Sequence, residues 1–166
     1  EGIINWASVY DDVPVSFEPY PWPGNTPAYY YGLTNIRAAI QRSANTIAVR
    51  VLMDLGIEKS FSYLTGELGI TTLVERGTYA DGSGFTDKGL AALALGQPNY
   101  GCTVREMAAA YGALANKGIF NKCRSYLYVY DSNGDILLSN DYKGSVVFSE
   151  QTAFITTKLL ETVVQT

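Results

Sequence analysis

A helix, a tight turn and a second helix constrain this chain more than any other stretch. Asn35 to Arg42 and Thr46 to Gly56 both carry apolar residues at helical spacing, and only Ser43-Ala44-Asn45 separates them. Ile36, Ala39 and Ile40 form one stripe, and Ser43 falls next on it. Thr34 is the expected N-cap, because its hydroxyl can accept from the free amides of the first turn. In the second helix the expected buried face is Ile47, Ala48, Val51, Leu52 and Leu55, with Gly56 as C-cap. The pattern turns a serine and an asparagine inward where two apolar helices meet. Ser and Asn are also ordinary turn and cap residues, so taken alone the pair reads as a plain helix junction.

Around this unit the 166 residues suit one domain with a sizeable core. Residues 1–32 are expected to be mostly irregular, with a short helix or turn over Glu1 to Tyr10 and an extended piece at Val13 to Phe17. Pro19, Pro21, Pro23 and Pro27 then forbid regular structure. Trp22 and Tyr29-Tyr30-Tyr31 could form a sugar platform, but such aromatics more often pin a loop to a core. Residues 33–118 form the expected helical core. Glu58 to Leu68 reads as a helix with Phe61, Leu64 and Leu68 inward. Ile70 to Asp87 reads as a long loop, and Leu90 to Leu95 fits helix or strand. Thr103 and Glu106 make a capping box for a helix expected to bury Met107, Ala108, Tyr111, Leu114 and Ala115. It is expected to be the most buried helix.

Residues 119–148 are expected to hold a β-hairpin, because Tyr126 to Tyr130 alternates and Asn133-Gly134 suits a type I′ turn. Residues 149–166 read as a last helix capped by Ser149, with Ile155, Leu159, Leu160 and Val163 on its apolar face. The expected fold class is therefore mainly α, with a small β component.

Composition excludes several kinds of chemistry. The chain has no histidine, so neither a Ser-His-Asp or Cys-His site nor imidazole zinc ligation can be built within it. Asp81-Gly82-Ser83-Gly84 lacks the alternating oxygen ligands of a calcium loop, and no cofactor is expected. A net charge of −4 and a pI near 4.8 give no basic footprint for nucleic acid. No apolar run approaches the ~18 residues of a membrane helix, and no secretory leader is expected. Cys102 precedes a helix that carries the chain about 22 Å away, and the few residues returning to Cys123 span at most ~20 Å. Two free, partly buried thiols are the expectation.

The flanks give the serine–asparagine turn a context. Pro23-Gly24-Asn25 lies upstream, with Tyr30, Gly32 and Thr34 leading into the first helix. Ala48-Val49, Ala94-Leu95-Gly96, Gly101-Cys102-Thr103, Glu106-Met107-Ala108, Ala110-Tyr111 and Ala115-Asn116-Lys117-Gly118 follow in order. This ordered set, over roughly residues 9–164, resembles the transpeptidase domain of class A penicillin-binding proteins. That family works with S-x-x-K, S-x-N and K-T-G motifs. Here Ser43 and Asn45 match the second, while no serine precedes a lysine by three and no Lys-Thr-Gly occurs. Two adjacent glycines are usual in the family where this chain has Gly96-Gln97.

The resemblance implies the helix-rich half of a penicillin-binding/β-lactamase-like fold plus a small hairpin, with most of the central sheet missing. It implies a cell-wall D,D-transpeptidase parent that acts through an acyl-serine, with peptidoglycan stem peptides and β-lactams as partners of the intact domain. Ser43 would relay a proton and Asn45 would bind the substrate amide. The parent would be membrane-anchored and work outside the cytoplasm. The segment itself would be inactive and prone to self-association. The alternative is a non-catalytic scaffold or glycan-binding module using Trp22 and the tyrosines.

Overall fold

The computed structural model describes residues 4–164. The first three residues of the expected Glu1 to Tyr10 helix or turn, and the last two of the 149–166 helix, lie outside that range. Asn5 to Ser8 form a turn in which Asn5 Oδ1 accepts from Ala7 N at 2.9 Å. Strand β1 (Val9–Asp12) follows and pairs antiparallel with β2 (Gly32–Asn35), from Val9 opposite Asn35 to Asp12 opposite Gly32. The N-terminal region is thus less irregular than its prolines suggest. Ser16 bridges to Trp22, and the peptide bonds preceding Pro19, Pro23 and Pro27 are cis.

β2 runs directly into helix α1 (Ile36–Arg42). Its cap is Asn35, whose Oδ1 accepts from Ala38 N at 2.9 Å. Thr34 does not cap it, because Thr34 is still in the strand and its hydroxyl donates to the Gly32 carbonyl. Helix α2 (Asn45–Leu55) buries Thr46, Ile47, Val49 and Leu52. Val49 replaces Leu55 on the buried face, and Leu55 is 40% exposed. Helix α3 (Ile57–Ser62) continues as a π-helical stretch over Tyr63–Glu67, which leaves Phe61 and Leu68 buried as expected and Leu64 half-buried.

The segment after Gly69 is better organised than a plain loop. β3 (Gly77–Thr78) and β4 (Gly84–Phe85) pair antiparallel. Behind them Asp87 is fully buried, accepting from Val74 N at 2.8 Å, Asn99 N at 2.8 Å and Asn99 Nδ2 at 2.6 Å. A hydrogen-bonded carboxylate fixes this region where apolar residues are scarce. Leu90–Leu95 is a short helix, α4, packed on α2.

Helix α5 (Val104–Ala115) starts with the expected capping box, Thr103 Oγ1 accepting from Glu106 N at 3.2 Å. Glu106 also accepts from Thr71 N at 2.7 Å and from the Thr71 and Thr72 hydroxyls. Hydrogen bonds from Thr103 and then Thr71 hold its carboxyl far below the usual range. The buried stripe of α5 is Ala109 and Ala113, not the larger residues, since Met107 is 41% and Tyr111 56% exposed. Small residues let this helix approach its neighbours closely, so the bulkier side chains project off the contact. It is consequently less buried than α2.

β5 (Ile119–Phe120) pairs with a later strand, β8 (Ser145–Val146), and encloses the hairpin of β6 (Tyr128–Tyr130) and β7 (Ile136–Ser139). The stretch 119–148 is therefore two nested ribbons. The hairpin turn is not type I′. Gly134 has φ +88° while Asn133 does not enter the left-handed region, and Gly134 N donates to Asp131 O at 3.2 Å. That is a type I turn closed by a glycine bulge. The Asp131 carboxylate selects it by accepting from Asn133 N and Asp135 N.

Helix α6 (Glu150–Val164) is capped by Ser149, whose Oγ accepts from Thr152 N at 3.1 Å. It buries Ala153, Leu159 and Thr162, whereas Ile155 and Val163 are 42% and 44% exposed.

Among the described residues two apolar clusters result. Leu68, Ile70, Ala109, Ala113, Phe120 and Val147 form one, and Ile36, Ala39, Ile47 and Leu159 the other. Among the described residues every sheet is two-stranded, so the helix-rich fold with only small sheets is what the structure has. Cys102 is half-buried and Cys123 is exposed, both as free thiols. No helix among the described residues is long and apolar enough to cross a membrane.

Candidate active site

Helix α1 ends in a Schellman arrangement. Ala44 N donates to Ala39 O at 2.9 Å and Ser43 N to Ile40 O at 3.1 Å, with Ser43 left-handed at φ 55°, ψ 49°. Glycine usually holds that position, because a Cβ there costs about 1–2 kcal/mol. Ser43 and Lys117 are the two non-glycine residues with positive φ among the described ones. The left-handed step swings Ser43 off the Ile36/Ala39/Ile40 stripe. Ser43 is therefore exposed, not turned inward as the helical period implies. Its hydroxyl makes no hydrogen bond within the described residues. Asn45 is half-buried at the first position of α2.

A polar cluster beneath the turn was not foreseen. Asp12, at the end of β1, is 1% exposed and Thr46 is fully buried. Asp12 Oδ1 accepts from the Thr46 hydroxyl and from Asn25 Nδ2 (2.7 Å), and Oδ2 accepts from Tyr31 N at 3.0 Å. Burial pushes the Asp12 carboxyl up. Hydrogen bonds from Thr46, Tyr31 and Asn25, with the charge of Arg42, outweigh it and hold the group below the usual carboxylate range. The available signals were the Asp12-Val13-Pro14 run and Pro23-Gly24-Asn25, but no local period places either beside α2.

Of the aromatics expected to pin the loop, Tyr29 and Tyr31 face outward while Trp22 and Tyr30 are half-buried. Tyr29 is 58% and Tyr31 51% exposed. Tyr31 stacks edge-on with Tyr29 and lies under the Arg42 guanidinium at 4.0 Å. Asp12 and Asn25 also fasten the segment. A depression of about 560 Å³ is lined by Glu58, Glu75, Arg76 and Lys88 and includes neither Ser43 nor Asn45. No group of three or more His, Cys, Asp or Glu that could hold a metal occurs among the described residues.

The model of the penicillin-binding protein transpeptidase domain matches residues 1–166. The chain belongs to the penicillin-binding protein transpeptidase family. The penicillin-binding protein 1A of Clostridium tetani is 36% identical over 168 residues, covering 93% of this chain and 20% of that protein. Its counterpart in Clostridium botulinum (strain Langeland) is 31% identical over 164 residues, covering 93% and 18%. This transpeptidase-family chain thus spans about a fifth of the curated relatives it matches.

Among solved structures, the penicillin-binding protein PonA1 of Mycobacterium tuberculosis superposes with a TM-score of 0.72 at 22% identity, over 97% of this chain and 42% of that one. The imipenem acyl-enzyme complex of penicillin-binding protein A from the same organism gives a TM-score of 0.70 at 14% identity, over 97% and 39%. At such identities the likeness is one of fold.

Proposed function

We propose that this segment supplies the S-x-N part of a peptidoglycan D,D-transpeptidase, with Ser43 and Asn45 as its active-site residues. One observation carries the reading: Ser43 sits in a strained left-handed position, exposed, its hydroxyl without a hydrogen bond among the described residues, two residues before a fixed asparagine. An outlier of that kind is tolerated where it serves a purpose. Asn45 Nδ2 donates to Gly24 O at 2.8 Å, which uses one of its two protons and leaves the other for a substrate amide.

In the reaction, a serine hydroxyl from the flanking parent sequence attacks the penultimate D-Ala carbonyl of a stem peptide. A C–O bond forms, the C–N bond breaks, and the terminal D-Ala leaves with a proton. Ser43 relays that proton. The amine of a second peptide then displaces the enzyme serine. A β-lactam enters by the same first step and stays as the acyl ester. The parent works outside the cytoplasm from a membrane anchor.

The test compares this chain with the parent domain. A serine needs an adjacent base to become a nucleophile, and this chain offers neither S-x-x-K nor histidine. Intact-mass spectrometry after incubation with a penicillin is expected to show one adduct on the parent domain and none on this chain. A stoichiometric adduct on the chain would place the nucleophile within it. A full-length parent without S-x-x-K and K-T-G would favour the scaffold or glycan-binding reading.

The isolated chain is also expected to self-associate. Met107, Tyr111, Phe154 and Ile155 on α5 and α6 are each more than 40% exposed, and contiguous apolar patches above a few hundred Å² usually find a partner. The β6 edge offers a second route by strand addition. Light scattering over a concentration series should show a mass rising above the monomer. A strict monomer with a sharp, high melting transition would instead mark a self-sufficient module.

A further inference from the structure

Helix α2 begins without a cap of its own, because Ala44 has no side-chain acceptor. The acceptor comes from Asn25, in the proline-rich segment. Its Oδ1 takes Asn45 N at 2.9 Å and Thr46 N at 3.5 Å. The orientation of that amide is unambiguous, since its Nδ2 faces two acceptors, Asp12 Oδ1 at 2.7 Å and Tyr29 O at 3.1 Å. Gly24 O, one residue earlier, holds the Asn45 side chain. Both the backbone and the side chain of Asn45 are therefore referenced to Gly24-Asn25. Asn25 in turn is referenced to a buried aspartate, which also grips Thr46.

We propose that Asn25, braced by Asp12, is a positioning residue that sets the Ser43–Asn45 turn for acyl transfer. The proposal rests on the reading of that turn given above. Only an amide serves at position 25. Its oxygen must accept from the α2 amides while its nitrogen donates to a carboxylate, and Asp at this place would set two carboxylates against each other. Both polar ends of the Asn25 amide are taken up within the chain. Asn25 acts through where Ser43 and Asn45 lie, and misplacement of about 1 Å can cost about 10²-fold in rate.

A double-mutant cycle in the intact parent domain separates positioning from mere support of the fold. Acylation by a fluorescent penicillin is followed by stopped flow in the wild type, Asn25→Ala, Ser43→Ala and the double variant, each beside a melting curve. Asn25→Ala is expected to slow acylation about 10- to 100-fold when Ser43 is present and by a factor at least about threefold smaller when it is absent, the remainder passing through Asn45, while lowering the melting temperature equally in both backgrounds. An equal rate loss in both backgrounds, or none with Ser43 present, overturns the proposal and leaves the function standing. Unchanged acylation in Ser43→Ala alone overturns the reading of the turn, and the proposal with it. Should Asn25→Ala not fold, Thr46→Val removes one hydroxyl from Asp12 at nearly constant shape. It is expected to give a smaller loss with the same dependence on Ser43, and a loss independent of Ser43 overturns the proposal.

Discussion

Ser43→Ala in the intact parent is expected to slow acylation by a β-lactam about 10²–10⁴-fold, the range for loss of a proton-transfer group. Stability should hardly move. The side chain is exposed and its hydroxyl makes no hydrogen bond within the described residues, so truncation exposes no buried partner. Ser43→Gly sharpens the contrast. It removes the same hydroxyl but also the Cβ that is strained at φ 55°. It should therefore stabilise the fold by up to about 1 kcal/mol while losing activity as Ala does. Stopped-flow acylation and melting curves for both variants decide it. Wild-type rates in either would reduce Ser43 to the closing residue of a helix.

Asp87→Ala is expected to be the most damaging change for the fold away from that turn. The carboxylate is fully buried, and Asn99 N, Asn99 Nδ2 and Val74 N all donate to it. Its removal strands three donors, each costing about 1–3 kcal/mol if left unmet. A net loss of about 3 kcal/mol is a fall of about 6–12 °C in Tm for a chain of this size. A change within about 2 °C would mean that water replaces the carboxylate without cost.

The same group makes stability depend on pH. Burial raises the Asp87 carboxyl, but the hydrogen bonds from Asn99 and Val74 outweigh it and leave it below its ordinary value. A depressed carboxyl binds its proton more weakly in the folded state than in the unfolded one. Its stabilisation is thus complete above the unfolded value of about 4 and is lost as pH falls below that toward the folded value. Asp12 and Glu106 shift in the same direction. Denaturant melts at pH 7 and pH 3 should show a marked acid loss, reduced in Asp87→Asn.

Much of this molecule was legible from local chemistry. Helical periods, the Thr103/Glu106 capping box and the Ser149 cap placed α2, α5 and α6, because each depends on residues within a turn or two of one another. The order of short motifs around Ser43-Ala44-Asn45 pointed to the family before any coordinate. What the period could not say is which residue leaves it. Ser43 is on the stripe by count and off it by one left-handed step, and that step is set by how α1 must end for α2 to begin. The face of α5, and that of α6 apart from Leu159, differ from expectation for a related reason. Hydrophobicity says which residues prefer burial, but partner geometry chose Ala109, Ala113 and Ala153 and left Met107, Tyr111 and Ile155 outside. The polar anchors were invisible in principle. Asp12 meets Thr46 across 34 positions, and Glu106 meets Thr71 across 35. Nothing in a local window marks a carboxylate as buried until the tertiary fold brings it the donors that make burial affordable.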